Sequence, residues 1–136
     1  MSYDLDGLER ECNSLGIDCS RVEPNQLDVL VSADCTLQFS NQPEESDTRV
    51  GFAGTPWHSH DQLMLMTSDS TFIECSEFEM IRLLASGDLV IVSQFLKGEL
   101  GDRWLAHKSE RLDIGNIEAG EELHIKRMAS PCRSGV

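Results

Sequence analysis

The apolar residues of this chain are dealt out in short runs of at most about four, as in Leu63-Met64-Leu65-Met66 and Leu89-Val90-Ile91-Val92. A membrane-spanning helix needs about twenty apolar residues, and a secretory leader needs a basic start followed by roughly seven or more. This chain carries Asp4 and Asp6 near its start instead. Its core must be assembled from many short elements, and the expectation is a cytoplasmic, unprocessed protein with no membrane association.

The spacing of those apolar residues then says which elements they are. Leu5, Leu8, Cys12 and Leu15 recur every three or four residues, one stripe of a helix over 4–15, with Gly16 as its stop. Gly7 falls in the first turn, where its cost is smallest. From Gln26 the period drops to two. Segments 27–31 and 36–39, separated by Ser32-Ala33-Asp34, predict a hairpin. The stretch 41–48 (NQPEESDT) is polar, holds Pro43 and reads as a loop. Strands are expected at 49–54, where Gly51 and Gly54 allow a bulge or a close backbone approach, and at 62–66 and 71–75.

Ser76-Glu77-Phe78-Glu79 has the spacing of a capping box. It predicts a helix that buries Phe78, Ile81, Leu84 and Ala85 and closes at Gly87. The β-branched run 88–96 reads as a buried central strand, and 103–107 as its hairpin partner across a loop at 97–102. Weaker strands are expected at 111–114 and 122–126, with the end of the chain a frayed tail. Connections mostly too short for crossover helices predict an α+β domain over 1–129: an antiparallel or mixed sheet with about two helices packed on it, and a tail at 130–136. Two helices cannot cover both faces of a large sheet, so one face should be partly exposed.

A chain of 136 residues buries roughly two-thirds of its unfolded surface, enough to fold without a metal or disulfide staple. The five cysteines form no CxxC pair and read as small apolar packing groups. The formal net charge of −13 is uneven: residues 1–48 hold 11 acids against two bases, and residues 49–136 hold 13 against nine. That field repels phosphate backbones and anionic membranes and attracts a basic protein. Ordinary solubility explains the same excess without any partner.

Chemical potential gathers at Trp57-His58-Ser59-His60-Asp61. In an extended chain His58 and His60 point to one side, and two imidazoles at that spacing can share a zinc ion if a third ligand, Asp61, Asp69, His107, His124 or a thiol, joins them. His58-Ser59-His60, with Ser68 after seven intervening residues, resembles the start of the JAMM metalloprotease motif, His-Ser/Thr-His-Pro with a later Ser and a ligand Asp. Asp61 replaces the proline and Thr71 stands where the ligand Asp belongs. The family's upstream general-base glutamate has no assignable counterpart among Glu23, Glu44 and Glu45. The match spans about a dozen residues. The plainer reading is a polar loop after Pro56, with Trp57 anchored in the core and the histidines exposed or hydrogen-bonded. A third is a recognition surface built on Trp57, His58 and His60.

No GxSxG, Walker, GxGxxG or HExxH pattern occurs. The expectation is a small acidic interaction protein with no catalysis and no cofactor. It would be of the kind that neutralises a basic toxin or nuclease, as immunity proteins do, with Trp57, His58, His60, Asp61, Glu44, Glu45 and Asp47 as binding residues. The alternative is a metal-binding protein or metal-dependent hydrolase using His58 and His60.

Overall fold

A computed structural model describes residues 2–67, 71–110 and 119–128. The strand expected at 111–114 and the tail at 130–136 lie outside the described residues. The chain is an α+β fold: the described residues form two helices and ten strands, all paired antiparallel, in three sheets rather than one. A meander of five strands runs β1 (Cys19–Glu23), β2 (Gln26–Ser32), β3 (Cys35–Gln42), β4 (Asp47–Phe52) and β5 (His58–Ser59), paired in chain order. The hairpin β6 (Leu63–Met66) and β7 (Phe72–Cys75) stands alone, and β8 (Leu89–Leu96) is flanked by β9 (Glu99–His107) and β10 (Glu121–Lys126). None of the described helices is long and apolar enough to cross a membrane.

Helix α1 (Leu5–Ser14) is capped by Asp4, whose carboxylate accepts from the Gly7 N–H at 3.0 Å. Gly7 is required by packing as well as tolerated. A Cβ there would collide with the Asp4 carboxylate and come within 3.0 Å of Phe78 on α2. Helix α2 (Glu77–Ser86) opens with the reciprocal Ser76–Glu79 capping box and closes at Gly87 with φ 84°. It buries Met80, Ile81 and Leu84, while Ala85 turns to solvent and Phe78 is only half-buried. Ile81 and Leu84 are buried as expected, while the buried stripe is rotated toward Met80 and away from Phe78 and Ala85.

Strands β2 and β3 alternate cleanly: Leu27, Val29, Val31, Cys35, Leu37 and Phe39 enter the core beneath the two helices. The opposite face carries Gln26, Asp28, Gln38 and Ser40, which are half-buried. Half of the stretch expected to be a loop at 41–48 is strand. Asn41 and Gln42 extend β3, a single turn spans Pro43–Glu45, and Asp47 and Thr48 begin β4. Polar side chains on a solvent-facing strand remove the apolar alternation by which a strand is recognised. Likewise β9 starts at Glu99, inside the expected loop.

One charged side chain ties two of the sheets together. Arg103 on β9 is buried; its guanidinium donates to Ser93 Oγ (3.0 Å), to the Asp34 carbonyl (3.1 Å) and to the Asp34 carboxylate (3.4 Å) in the β2–β3 turn. Lys126 on β10 joins the same turn at Ser32 and Asp34. Hydrogen bonds from Ser32 and Lys126 hold the Asp34 carboxyl below the usual carboxylate range.

Candidate binding cleft

The Trp57–Asp61 segment is placed by backbone chemistry rather than by its own propensity. After Phe52 the chain turns through Gly54 (φ 82°), and His58 and Ser59 pair with Gly51 and Val50. Gly51 makes this possible, since a Cβ there would lie 2.6 Å from the Trp57 carbonyl oxygen. The Trp57 N–H donates to Asp102 Oδ1 on β9 (3.0 Å), fastening the segment to the three-stranded sheet. The Trp57 ring is half-buried, tilted on Phe52 at 6.1 Å between centroids.

His60 and Asp61 are organised by Thr48, which is wholly buried. His60 Nδ1 donates to the Thr48 carbonyl (2.6 Å) and lies 3.1 Å from the Asp47 carboxylate. The Thr48 hydroxyl accepts from the Asp61 N–H (2.6 Å) and donates to Asp61 Oδ1 (2.9 Å). Those bonds hold Asp61 at φ 57°, a conformation Asp accepts more readily than most residues. The Tyr3 hydroxyl donates to the Asp61 carbonyl (2.9 Å), and Tyr3 and Asn41 exchange two further bonds. Burial pushes the Tyr3 phenol up to about 12. The backbone and one carboxylate oxygen of the half-buried Asp61 are therefore engaged in the turn.

His58 and His60 are both exposed and meet edge to face at 5.0 Å, with His58 Nδ1 on the Pro56 carbonyl (3.1 Å). Among the described residues no group of three or more His, Cys, Asp and Glu side chains converges as a metal site would. Of the other candidate third ligands, His107 bonds Ser109 and His124 faces Glu122; Asp69 lies outside the described residues.

What the segment does form is one wall of an open cleft of about 510 Å³. Trp57 to His60 make one side, β6 from Leu63 to Met66 with Phe72 of β7 another, and Trp104 and Leu105 of β9 the floor, with Glu110 at its margin. Burial raises the Glu110 carboxyl above its ordinary range. Leu63 and Leu65 turn into the core, but Met64 (55% exposed), Met66 (39%) and Phe72 (58%) stand in solvent on the opposite face of the hairpin. Among the described residues, no Lys or Arg lines the cleft.

Comparison with protein-family models, with curated protein sequences and with solved structures finds no match to this chain.

Seven of the 11 acids of residues 1–48 have a defined place in the ion pairs or beside the cleft. Asp6 and Glu9 pair with Arg21, Glu11 with Arg82, and Asp34 with Arg103 and Lys126, so four of them meet cations, most of which come from later in the chain. Glu44 and Glu45 are exposed in the turn after β3, and Asp47 follows them against His60, a residue of the cleft wall. The sequence marked Trp57, His58 and His60 but missed Met64, Met66, Phe72, Trp104 and Glu110. A signal was there. Leu63-Met64-Leu65-Met66 is apolar on both faces of a short strand, and a β6 covered on one face only leaves two methionines without a core to enter.

Proposed function

We propose that this protein is a non-catalytic binding protein whose partner is a basic protein, the relationship an immunity-type inhibitor has with a toxin or nuclease. The observation that carries this reading is the solvent-facing trio Met64, Met66 and Phe72 beside two half-buried tryptophans. Contiguous apolar side chains left in water mark interaction sites, and Met with aromatic residues is the composition enriched at interfaces. The acidic turn at Glu44 and Glu45, joined to the cleft through Asp47 and His60, supplies the charge that would speed encounter with a cationic surface. Chemistry by a thiol is disfavoured. Burial raises Cys12 to about 12 and also raises Cys19, Cys35 and Cys75, so these groups stay protonated near neutrality.

The test is site-specific photocrosslinking in cells that express the protein natively, with benzophenone at position 72 and, as control, at Val22, which is also exposed but lies on β1. The reading expects one discrete adduct from position 72, carrying a protein of basic isoelectric point, and none from position 22. Equal labelling at both positions, or none at either, would overturn it.

A further inference from the structure

Three sheet edges meet at the cleft. Among the described residues, β5 is the last strand of the meander, β9 is an outer strand of its sheet, and β6 is paired with β7 alone. Four consecutive residues of β6 line the opening, so the edge of that strand, and not merely one face of it, borders the space. The pairing register says which backbone groups are there. The Thr67 N–H donates to the Thr71 carbonyl (2.9 Å), and Leu65 opposes Ile73 and Leu63 opposes Cys75. Antiparallel pairs alternate between hydrogen-bonded and non-bonded, so Thr67, Leu65 and Leu63 turn their N–H and C=O groups toward β7. The N–H and C=O groups of Met64 and Met66 therefore point away from β7, and among the described residues they have no hydrogen-bond partner. Short exposed edges are usually guarded by Lys, Pro or a bulge. This one is Leu-Met-Leu-Met.

We infer that the cleft binds its partner by strand addition: an extended segment of a basic protein, alternating apolar and Lys or Arg side chains, pairs with the Met64–Met66 edge of β6. This rests on the binding reading above and states its geometry. A strand added there would place alternate side chains against Met64 and Met66 on one side and toward Trp57, Trp104 and Leu105 on the other. The charge of the surroundings selects the sign of the remaining side chains. Glu74 lies directly across from Met64, Glu110 lines the cleft, Asp47 stands behind His60, and among the described residues no Lys or Arg joins the lining. The same charge argues against a second copy of this chain as occupant, since two bodies of formal charge −13 repel.

The experiment selects a phage-displayed library of random linear peptides on the full chain, then titrates the enriched peptides as free synthetic molecules. Strand addition predicts enriched sequences that alternate apolar and basic residues, and NMR shifts centred on the Met64 and Met66 amides. It further predicts that methylating alternate peptide nitrogens weakens binding about tenfold or more, the effect of losing a few backbone hydrogen bonds. Met66→Pro should do the same. Its N–H makes no bond to β7, so the hairpin keeps its ladder and the thermal midpoint should move little. Peptides that shift the cleft resonances yet bind Met66→Pro and tolerate N-methylation equally well would overturn strand addition while leaving the binding reading intact. Failure to enrich any peptide against a Met64→Asp, Phe72→Asp counter-selection would overturn both. Concentration-dependent dimerisation abolished by Met66→Pro would identify a second copy as the occupant and overturn the basic partner.

Discussion

Replacing Thr48 with valine should destabilise the protein by about 2–4 kcal/mol while leaving its shape unchanged. The magnitude follows from what one buried hydroxyl does. It accepts from the Asp61 N–H at 2.6 Å and donates to the Asp61 carboxylate at 2.9 Å. A neutral bond of this kind contributes about 0.5–1.5 kcal/mol, one to a charged group about 1.5–3, and the half-exposed Asp61 draws the second toward the low end. Valine supplies the same volume and no oxygen, so both bonds go, and Asp61 loses what holds it at φ 57°. Thr48→Ser is the control: it keeps the hydroxyl and gives up one buried methyl, about 1 kcal/mol. Urea denaturation of the three proteins at neutral pH reads the difference. In a domain of this size a 3 kcal/mol loss also lowers the thermal midpoint by roughly 10 °C. If Thr48→Ser costs as much as or more than Thr48→Val, methyl packing rather than the Asp61 turn sets the value of this residue, and the reasoning about how the cleft wall is held fails.

Four further outcomes follow from the same structure. Tyr3 is the only tyrosine, so phenolate absorbance reports it alone. The native midpoint should lie near 12 and fall to about 10 in denaturant. Because the folded value is the higher one, the Tyr3 contribution is complete below pH about 10 and is lost as pH rises toward 12, so Tyr3→Phe should make the alkaline slope shallower, leaving the part due to the buried thiols. Arg103→Met keeps most of the buried stem but loses the bonds to Ser93 and Asp34, and should cost about 2–3 kcal/mol in urea. Asp34 titrates below the usual range when folded, so its contribution is present above pH about 4 and is lost as pH falls through its folded value; the stability gap between wild type and Asp34→Asn should close in acid. Ser76→Ala breaks one half of the capping box and should lower stability by about 1 kcal/mol, measured by the same unfolding curves.

Elements whose signal is local were legible in the sequence. The capping box of α2, the apolar stripe Leu5-Leu8-Cys12 of α1, the β2–β3 hairpin and the buried run of β8 all fell where side-chain spacing placed them. Elements held by their neighbours were not. Strand β1 has no fully buried residue and owes its existence to pairing with β2, and β5 is two residues long and exists because Gly51 admits the Trp57 carbonyl. At the cleft, the histidines were visible as chemistry, but the half of the site made by β6, β7 and β9 depends on which face of a short apolar strand is left uncovered. Arg103 was equally hidden. An arginine in a strand reads as solvent-facing until a distant turn, here Ser32 to Asp34, is brought over it.

The account stands on the unpaired edge of β6. Amide hydrogen exchange of the full chain, free and saturated with a peptide selected on it, measures that edge residue by residue. The account predicts a slow Leu65 amide in both states, with Met64 and Met66 exchanging rapidly in the free protein and becoming protected when the peptide is bound. Protection of Met64 and Met66 already in the free protein, or no gain on binding, would contradict it.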